Sequence, residues 1–251
     1  MNNYSIVEEF TLPSLGKVYK ENVNPVVKIR SMTTEEEMRR LAPSEHAYKN
    51  LCEIIDACLV EDPGISSYDM CIADYQFLLH KLRVVTYGTD YRITSTCPYC
   101  ANQNDFTLNL NDLEVKQFNS DDFSSLNDFI LPKTKKKITL KMQSPRTADE
   151  IEARSKELKK KTRGTAGDTA FLFTLQEIID TVDGEKLDIV RKEDFVRNLP
   201  MMDTNYIIKK AEKLVESFGV DNTTYHTCAL CGLDYTSHFR FTKEFFGPSI
   251  D

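Results

Sequence analysis

The chain has no tryptophan, only four histidines and no long apolar run. No stretch approaches the roughly 18 apolar residues of a membrane-spanning helix. Residues 1–10 carry early acids and no apolar segment of the kind that a signal peptide needs, so we expect no export signal and a soluble, intracellular protein. The histidines are scattered, and no Ser-His-Asp, His-Glu-x-x-His or paired-carboxylate pattern stands out. The sequence therefore gives no positive indication of an enzyme.

An excess of positive charge is also lacking. The chain has 32 Lys and Arg residues against 39 Asp and Glu, a net charge of −7 and a pI near 5.3. Domains that bind nucleic acid usually have a pI above about 9. Two basic runs, residues 133–137 and 156–163, contain no interleaved aromatic residues, and we interpret them as solvated faces balanced by nearby acids.

Cysteine, in contrast, is present in an ordered arrangement. Two Cys-x-x-Cys pairs, Cys97/Cys100 and Cys228/Cys231, are separated by residues 101–227. Each pair lies between two segments with alternating apolar residues, which predicts a knuckle at the tip of a β-hairpin. Reduced, paired cysteines inside a cell favour a metal over a disulfide.

We interpret Cys97, Cys100, Cys228 and Cys231 as the ligands of one structural Zn²⁺, because four thiolates complete a tetrahedral site and leave no open position for water. Hairpins before and after an insertion can dock as the two halves of a zinc-ribbon-like element. Two separate sites would each need two further ligands, for which His226 and His238 are candidates beside the second pair. A vestigial or redox-active pair is a third alternative, although a redox-active pair normally begins a helix.

Hydrophobic periodicity predicts a helical hairpin near the N-terminus, with helices over about 44–59 and 72–87 and the second helix ending at Gly88. A capping box, Thr33 with Glu36 or Thr34 with Glu37, predicts a short helix before them. Cys52, Cys58 and Cys71 lie outside the knuckles. We expect Cys58 and Cys71 to be buried on the apolar faces of these helices, and His80 of the second helix to lie at the surface or boundary.

Between the knuckles the sequence predicts a mainly helical block. Residues 111–131 are predicted to form a connecting loop or short turns, and 138–142 a strand. A charged helix starting at Thr147 has few apolar residues and is expected to lie mostly in water or against a partner. An apolar stripe over 171–182 predicts one helix, and Asp203 is predicted to cap the last long helix.

The predicted architecture is α+β, with two helical blocks and short β-hairpins that carry the knuckles. We divide it into an N-terminal extended segment and helical hairpin (1–88), zinc-ribbon-like halves (89–110 and 223–246) and an inserted, mainly helical block (111–222). An aromatic tail either packs on the chain or remains exposed for a partner. Its members are Phe239, Phe241, Phe245 and Phe246.

An ordered set of short motifs resembles the baseplate proteins of T4-like tailed bacteriophages, a group that includes hub assembly proteins. The motifs are Leu12-Pro13-Ser14-x-Gly16-x-x-Tyr19, Met32-Thr33-x-x-Glu36-Glu37, a helix with Asp74, Leu78, Leu79 and Arg83 ending Thr86-Tyr87-Gly88, and Cys97-x-x-Cys100. The resemblance is clearest over about 10–110 and fades in the inserted block.

This resemblance implies a role in building the central hub of a contractile-tail baseplate, as an assembly chaperone or a minor structural component. It implies other hub subunits as partners, the cytoplasm of the infected bacterium as location, with the virion baseplate as a second place, and no catalytic residues. The alternative is a zinc-ribbon protein that binds nucleic acid or assists transcription. We expect no nucleic acid and no membrane span; the oligomeric state is open.

Overall fold

A computed structural model of the protein describes residues 6–44, 46–162, 168–239 and 243–246. Within them there are eight α-helices and eleven short strands, and the strands form five small antiparallel sheets, which confirms that the fold is α+β as predicted. None of the described helices is both long enough and apolar enough to cross a membrane.

In chain order, the elements are β1 (Val7–Thr11), β2 (Val26–Arg30), α1 (Thr34–Leu41), α2 (Ala47–Cys58), α3 (Ile72–Tyr87), β3 (Asp90–Thr96), β4 (Gln103–Asn109), β5 (Val115–Lys116), α4 (Ser120–Asn127), β6 (Asp128–Ile130), β7 (Lys137–Leu140), α5 (Pro145–Lys161), α6 (Thr169–Ile178), β8 (Ile179–Val182), α7 (Ile189–Arg197), α8 (Met201–Glu216), β9 (Gly219–Val220), β10 (Thr223–Thr227) and β11 (Asp234–His238).

The N-terminal core lies between the β1–β2 hairpin and helices α2 and α3. Helix α1 begins at the predicted capping box of Thr33 and Glu36. Helix α3 is followed by its C-cap Gly88, whose φ of 86° is a conformation that glycine adopts without strain. Apolar residues of α2 and α3 that repeat every three to four positions are buried in this core, so the two predicted helices are confirmed.

The aromatic tail is part of the same core. Phe239, Phe245 and Phe246 are 7%, 0% and 1% exposed, and Phe245 packs edge-on against Tyr91 with ring centroids 5.1 Å apart. Phe241 lies outside the described residues. The described tail aromatics therefore stabilise the chain itself and do not form a docking surface.

The inserted block has its own core around a three-stranded sheet in the order β6-β7-β8, covered by α4, α6, α7 and α8. Its fully buried residues include Leu131, Ile138, Ile179 and Ile207. The prediction that residues 111–131 form a connecting loop or short turns is wrong, because α4 and β6 occupy much of this segment. Asn119 caps α4 by accepting hydrogen bonds from the amides of residues 121 and 122. This N-cap is a local sequence signal for a helix, but the polar composition of the segment favours the prediction of a loop.

The predicted helix over 171–182 is also partly wrong. Helix α6 ends at Ile178, and Ile179–Val182 continue as β8, which pairs antiparallel with β7. The apolar residues at 179 and 182 fit a buried helix face and a buried strand equally well. They form a strand because β7 is available as a pairing partner.

Helix α5 begins earlier than predicted, because Ser144 is its N-cap and Pro145 its first residue. It packs against α2 and α6 with Ile151 and Ser155 buried, so one face of this charged helix is covered by the chain itself. The opposite face carries exposed lysines, two of which pair with glutamates one turn earlier, as expected for a solvated face.

A two-residue ladder closes the inserted block. Val115 pairs with Val220 and Lys116 with Gly219, and the Lys116 ammonium lies 2.8 Å from the Asp221 carboxylate. Because β5 follows the first knuckle hairpin and β9 precedes the second, this ladder brings the two hairpins β3–β4 and β10–β11 side by side.

Candidate metal centre

The four cysteines of the two knuckles form one cluster, although residues 101–227 separate the two pairs. Their sulfur atoms all lie within 4.8 Å of one another. Across the two hairpins, Cys97 Sγ lies 3.8 Å from Cys231 Sγ, and Cys100 Sγ lies 3.6 Å from Cys228 Sγ. The structure thus brings together all four residues that the sequence predicts as ligands.

The sulfur–sulfur distances fit a tetrahedral metal site. Zn–S bonds of about 2.3 Å in a tetrahedron place the sulfurs about 3.8 Å apart. A disulfide would require about 2.05 Å between bonded sulfurs. Four sulfur donors are also a soft ligand set of the kind that selects zinc over magnesium or calcium.

Each knuckle has the same local hydrogen-bond pattern. Cys97 donates its amide to Asn102 O, and Cys228 donates its amide to Leu233 O. Four residues after the first cysteine, Ala101 and Gly232 both have positive φ angles, 59° and 71°. Because both turns curl their two thiols towards the same side, the hairpins present matching halves of one site.

Backbone amides tune the charge of the cluster. Amides of Cys231 and Leu230 that point at the sulfur lower the pKa of Cys228 to about 6. At Cys100 the amide of Asn102 lowers the pKa, but burial and the neighbouring sulfurs outweigh it and raise the pKa to about 12. The neighbouring sulfurs therefore oppose ionisation of the Cys100 thiol, and a bound cation would favour its thiolate.

Asn104 connects the two hairpins beside the sulfurs. This residue of β4 is 6% exposed, its Oδ1 accepts a hydrogen bond from the Ala229 amide at 3.0 Å, and its Nδ2 lies 3.3 Å from the Tyr235 hydroxyl. The same Nδ2 lies 3.7 Å from Cys228 Sγ. Asn104 is not identified from the sequence as part of the site. The signal that could have identified it is a polar side chain at an inward position of a strand with alternating apolar residues.

The two histidines considered as alternative ligands have other contacts. The His226 ring stacks on Phe106 with centroids 4.1 Å apart, and its Nε2 lies 2.9 Å from the Ser237 hydroxyl. His238 Nδ1 lies 3.3 Å from the Thr223 hydroxyl. Neither belongs to the cluster that the described residues form.

Cys58 and Cys71, outside the knuckles, are buried as predicted, at 0% and 3% exposure, and Cys52 is buried as well, at 1% exposure. Burial raises the pKa of Cys58 to about 11, so this thiol stays protonated at neutral pH. The prediction for His80 is wrong: its side chain is fully buried, and its Nε2 donates to Leu110 O at 2.9 Å. Burial lowers the pKa of His80 to about 4, so the ring is neutral.

A second buried polar cluster joins two of the sequence motifs. The Asp74 carboxylate accepts hydrogen bonds from the Ser14 amide at 3.0 Å, the Ser14 hydroxyl and the Tyr19 hydroxyl at 2.6 Å. Both Ser14 and Asp74 are fully buried. The motif residues thus fasten the extended N-terminal segment to α3, which is a structural role.

The fold and the cluster define an α+β protein with a candidate structural metal centre of four thiols. Residues 3–247 match the family described as T4 bacteriophage base plate protein, and the chain belongs to this family. The match covers nearly the whole chain, including the inserted block in which the sequence motifs fade. No curated protein and no solved structure matches the chain.

Proposed function

We propose that this protein assists assembly of the baseplate hub, as a chaperone or a minor structural component, and that it acts through protein–protein contacts without catalysis. The observation that carries the proposal is the family match over residues 3–247. The partners are then other hub subunits. The protein acts in the cytoplasm of the infected bacterium while baseplates form, and its family equally suits a place in the finished tail baseplate.

We further propose that Cys97, Cys100, Cys228 and Cys231 hold one structural Zn²⁺. The convergence of the four sulfurs at tetrahedral spacing supports this assignment. Structural zinc contributes on the order of 10 kcal/mol to folding in small peptide hosts. In this protein the four thiolates would fix the two hairpins against each other in a zinc-ribbon-like element and keep the surfaces on either side in register.

Exposed apolar side chains at the knuckles favour a role in protein contact. Tyr99 and Leu230 lie between the two cysteines of their respective pairs and are 63% and 70% exposed, and Leu233 is 49% exposed. A metal centre that served only stability would not need apolar residues at its outer surface. Apolar groups in such a position are typical of interaction sites.

Disruption of the gene in the phage tests the proposed function. We expect infected cells to accumulate heads but no complete baseplates, and the wild-type gene supplied in trans should restore tails. Co-expression with the other hub subunits should give a complex that co-purifies. Normal tails in the absence of the protein would contradict the proposal.

The nucleic-acid alternative has a separate test. A zinc-ribbon protein that binds DNA or RNA would be retained on a nucleic-acid column at low salt, with an affinity that falls steeply as ionic strength rises. We expect no retention, because the net charge of −7 opposes binding to phosphates.

A further inference from the structure

A groove of about 480 Å³ lies between the two knuckle hairpins. Residues 106–108 of β4 form one wall and residues 223–226 of β10 form the other, with residues 112–114 and Asp221 at one end. No residue of β3 or β11 lines it. The groove therefore faces the outer edges of β4 and β10, the edges turned away from their hairpin partners.

The edge of β10 has backbone groups that point away from β11. Cys228 donates to Leu233 O, and Phe239 donates to Asn222 O, so hydrogen-bonded pairs recur at every second position of this hairpin. Tyr225 lies opposite Thr236 at a position between such pairs. Its N–H and C=O therefore point outwards, and its side chain is 81% exposed.

The edge of β4 has the same property. Cys97 donates to Asn102 O, and Leu110 donates to Thr89 O, so Thr107 lies at a position whose backbone groups point away from β3. Among the described residues, no ladder joins β4 to β10. Two strand edges with outward-pointing backbone groups thus flank the groove, and proteins normally cover or pair such edges.

The chemistry of the groove specifies what it can accept. Its end carries three acids, Asp112, Glu114 and Asp221, of which Asp221 is paired with Lys116, and no Lys or Arg is among the described residues that line it. Leu113 is buried, and the stacked rings of Phe106 and His226 add apolar surface. An acidic groove with an apolar surface favours a chain that alternates basic and apolar residues.

We propose that this groove binds an extended, basic segment of another baseplate subunit, which adds to the edge of β10 as a further strand and places lysines or arginines beside Asp112 and Glu114. In strand addition, main-chain hydrogen bonds provide affinity and alternate side chains provide specificity. The inference rests on the proposed function. On this proposal the four cysteines also maintain the shape of the groove, because they join the two hairpins that form its walls.

A proline substitution tests the strand edge with a matched control. Tyr225→Pro removes the outward N–H of β10 without removing a bond to β11, whereas Thr236→Pro removes the corresponding outward N–H on the far edge of the same hairpin. The probe is a labelled peptide of about eight residues that alternates lysine and valine, measured by fluorescence anisotropy against the full-length protein. Tyr225→Pro should weaken binding about tenfold and Thr236→Pro less than about twofold, where tenfold corresponds to about 1.4 kcal/mol.

A second pair of variants tests the charge and does not depend on a strand edge. Asp112→Asn with Glu114→Gln should weaken binding about fivefold and reduce its salt dependence, while the exposed pair Glu53→Gln with Glu150→Gln should leave both unchanged. Failure of the lysine–valine peptide to bind, equal binding of a glutamate–valine peptide, or equal loss in the two proline variants would overturn the proposal.

The groove and the proposed function fail in distinguishable ways. Normal baseplates in phage that lack the gene would contradict the proposed function. Normal baseplates in phage that carry Tyr225→Pro, together with unchanged peptide binding by that variant, would contradict only the proposal that the groove binds a strand.

Discussion

Asp74 is fully buried in the N-terminal core, and hydrogen-bond donors from Ser14 and Tyr19 surround it. Burial raises the pKa of this carboxyl, and those hydrogen bonds partly oppose the increase. A buried acid that loses a donor retains the cost of its desolvation. The short motif containing Ser14 and Tyr19 is therefore best understood as the set of donors that one acid of α3 requires.

Ser14→Ala tests this explanation. The substitution removes the hydroxyl donor and leaves the Ser14 amide in place, so we expect the free energy of unfolding to fall by about 1–3 kcal/mol. Urea unfolding provides the measurement. Ser124→Ala, at an exposed serine of α4, is the control and should change stability by less than about 0.5 kcal/mol. Equal effects of the two substitutions would contradict the role given to Ser14.

Glu36 predicts a pH dependence of stability. Hydrogen bonds from Arg30 and from Thr33 lower the pKa of Glu36 to about 2, against an ordinary value of 4.5. Because the folded pKa is the lower one, the stabilisation is fully present above about pH 4.5 and is lost as the pH falls towards 2. Glu36→Gln should therefore cost stability at pH 7 and cost progressively less at pH 4 and 3. A difference in unfolding free energy that stays constant from pH 7 to 3 would exclude this linkage.

At the scale of elements, sequence periodicity predicts α2, α3 and both knuckle hairpins, because each has a continuous pattern and a clear end signal such as Gly88. It fails at α4 and β8. Helix α4 has only eight residues, none of them buried, so its sequence has no apolar stripe from which a helix could be predicted. The strand at Ile179–Val182 depends on β7 as its partner, and such long-range pairing has no signature in local sequence.

Asp203 is a further case in which tertiary contacts decide. The sequence predicts it as the cap of the last long helix, but α8 begins at Met201, after Pro200, and the Asp203 carboxylate accepts hydrogen bonds from the amides of Lys133 and Thr134 at 2.8 and 2.9 Å. This fully buried acid caps the turn between β6 and β7 instead. It thereby fastens α8 to the three-stranded sheet.

Asp203→Asn should reduce stability by about 1–3 kcal/mol, because an amide accepts these hydrogen bonds less strongly and adds a buried donor without a designed partner. Thermal unfolding followed by circular dichroism measures the effect. Glu212→Gln at an exposed position of the same helix is the control and should leave the midpoint nearly unchanged. If Asp203→Asn were as mild as this control, the turn would not depend on α8.

At the scale of the whole molecule, the proximity of the four knuckle cysteines is the feature that the sequence predicts best. The identical spacing of the two cysteine pairs and the strands that flank them are both local signals, and the structure brings the four sulfurs together as expected. The contact of Asn104 with the second hairpin and the groove between β4 and β10 depend on how the hairpins lie against each other, so no local pattern encodes them. The division into three parts and the zinc itself stay predictions.

The metal content of the purified protein tests the central claim, that one shared site holds the two hairpins together. We expect about one zinc per chain by mass spectrometry of the metal, and either Cys97→Ser or Cys228→Ser should abolish it, because a four-coordinate site needs ligands from both knuckles. Cys52→Ala, at a buried cysteine outside the cluster, should retain the zinc. A wild-type protein without zinc, or variants in which the loss of one knuckle leaves metal bound at the other, would contradict a shared site.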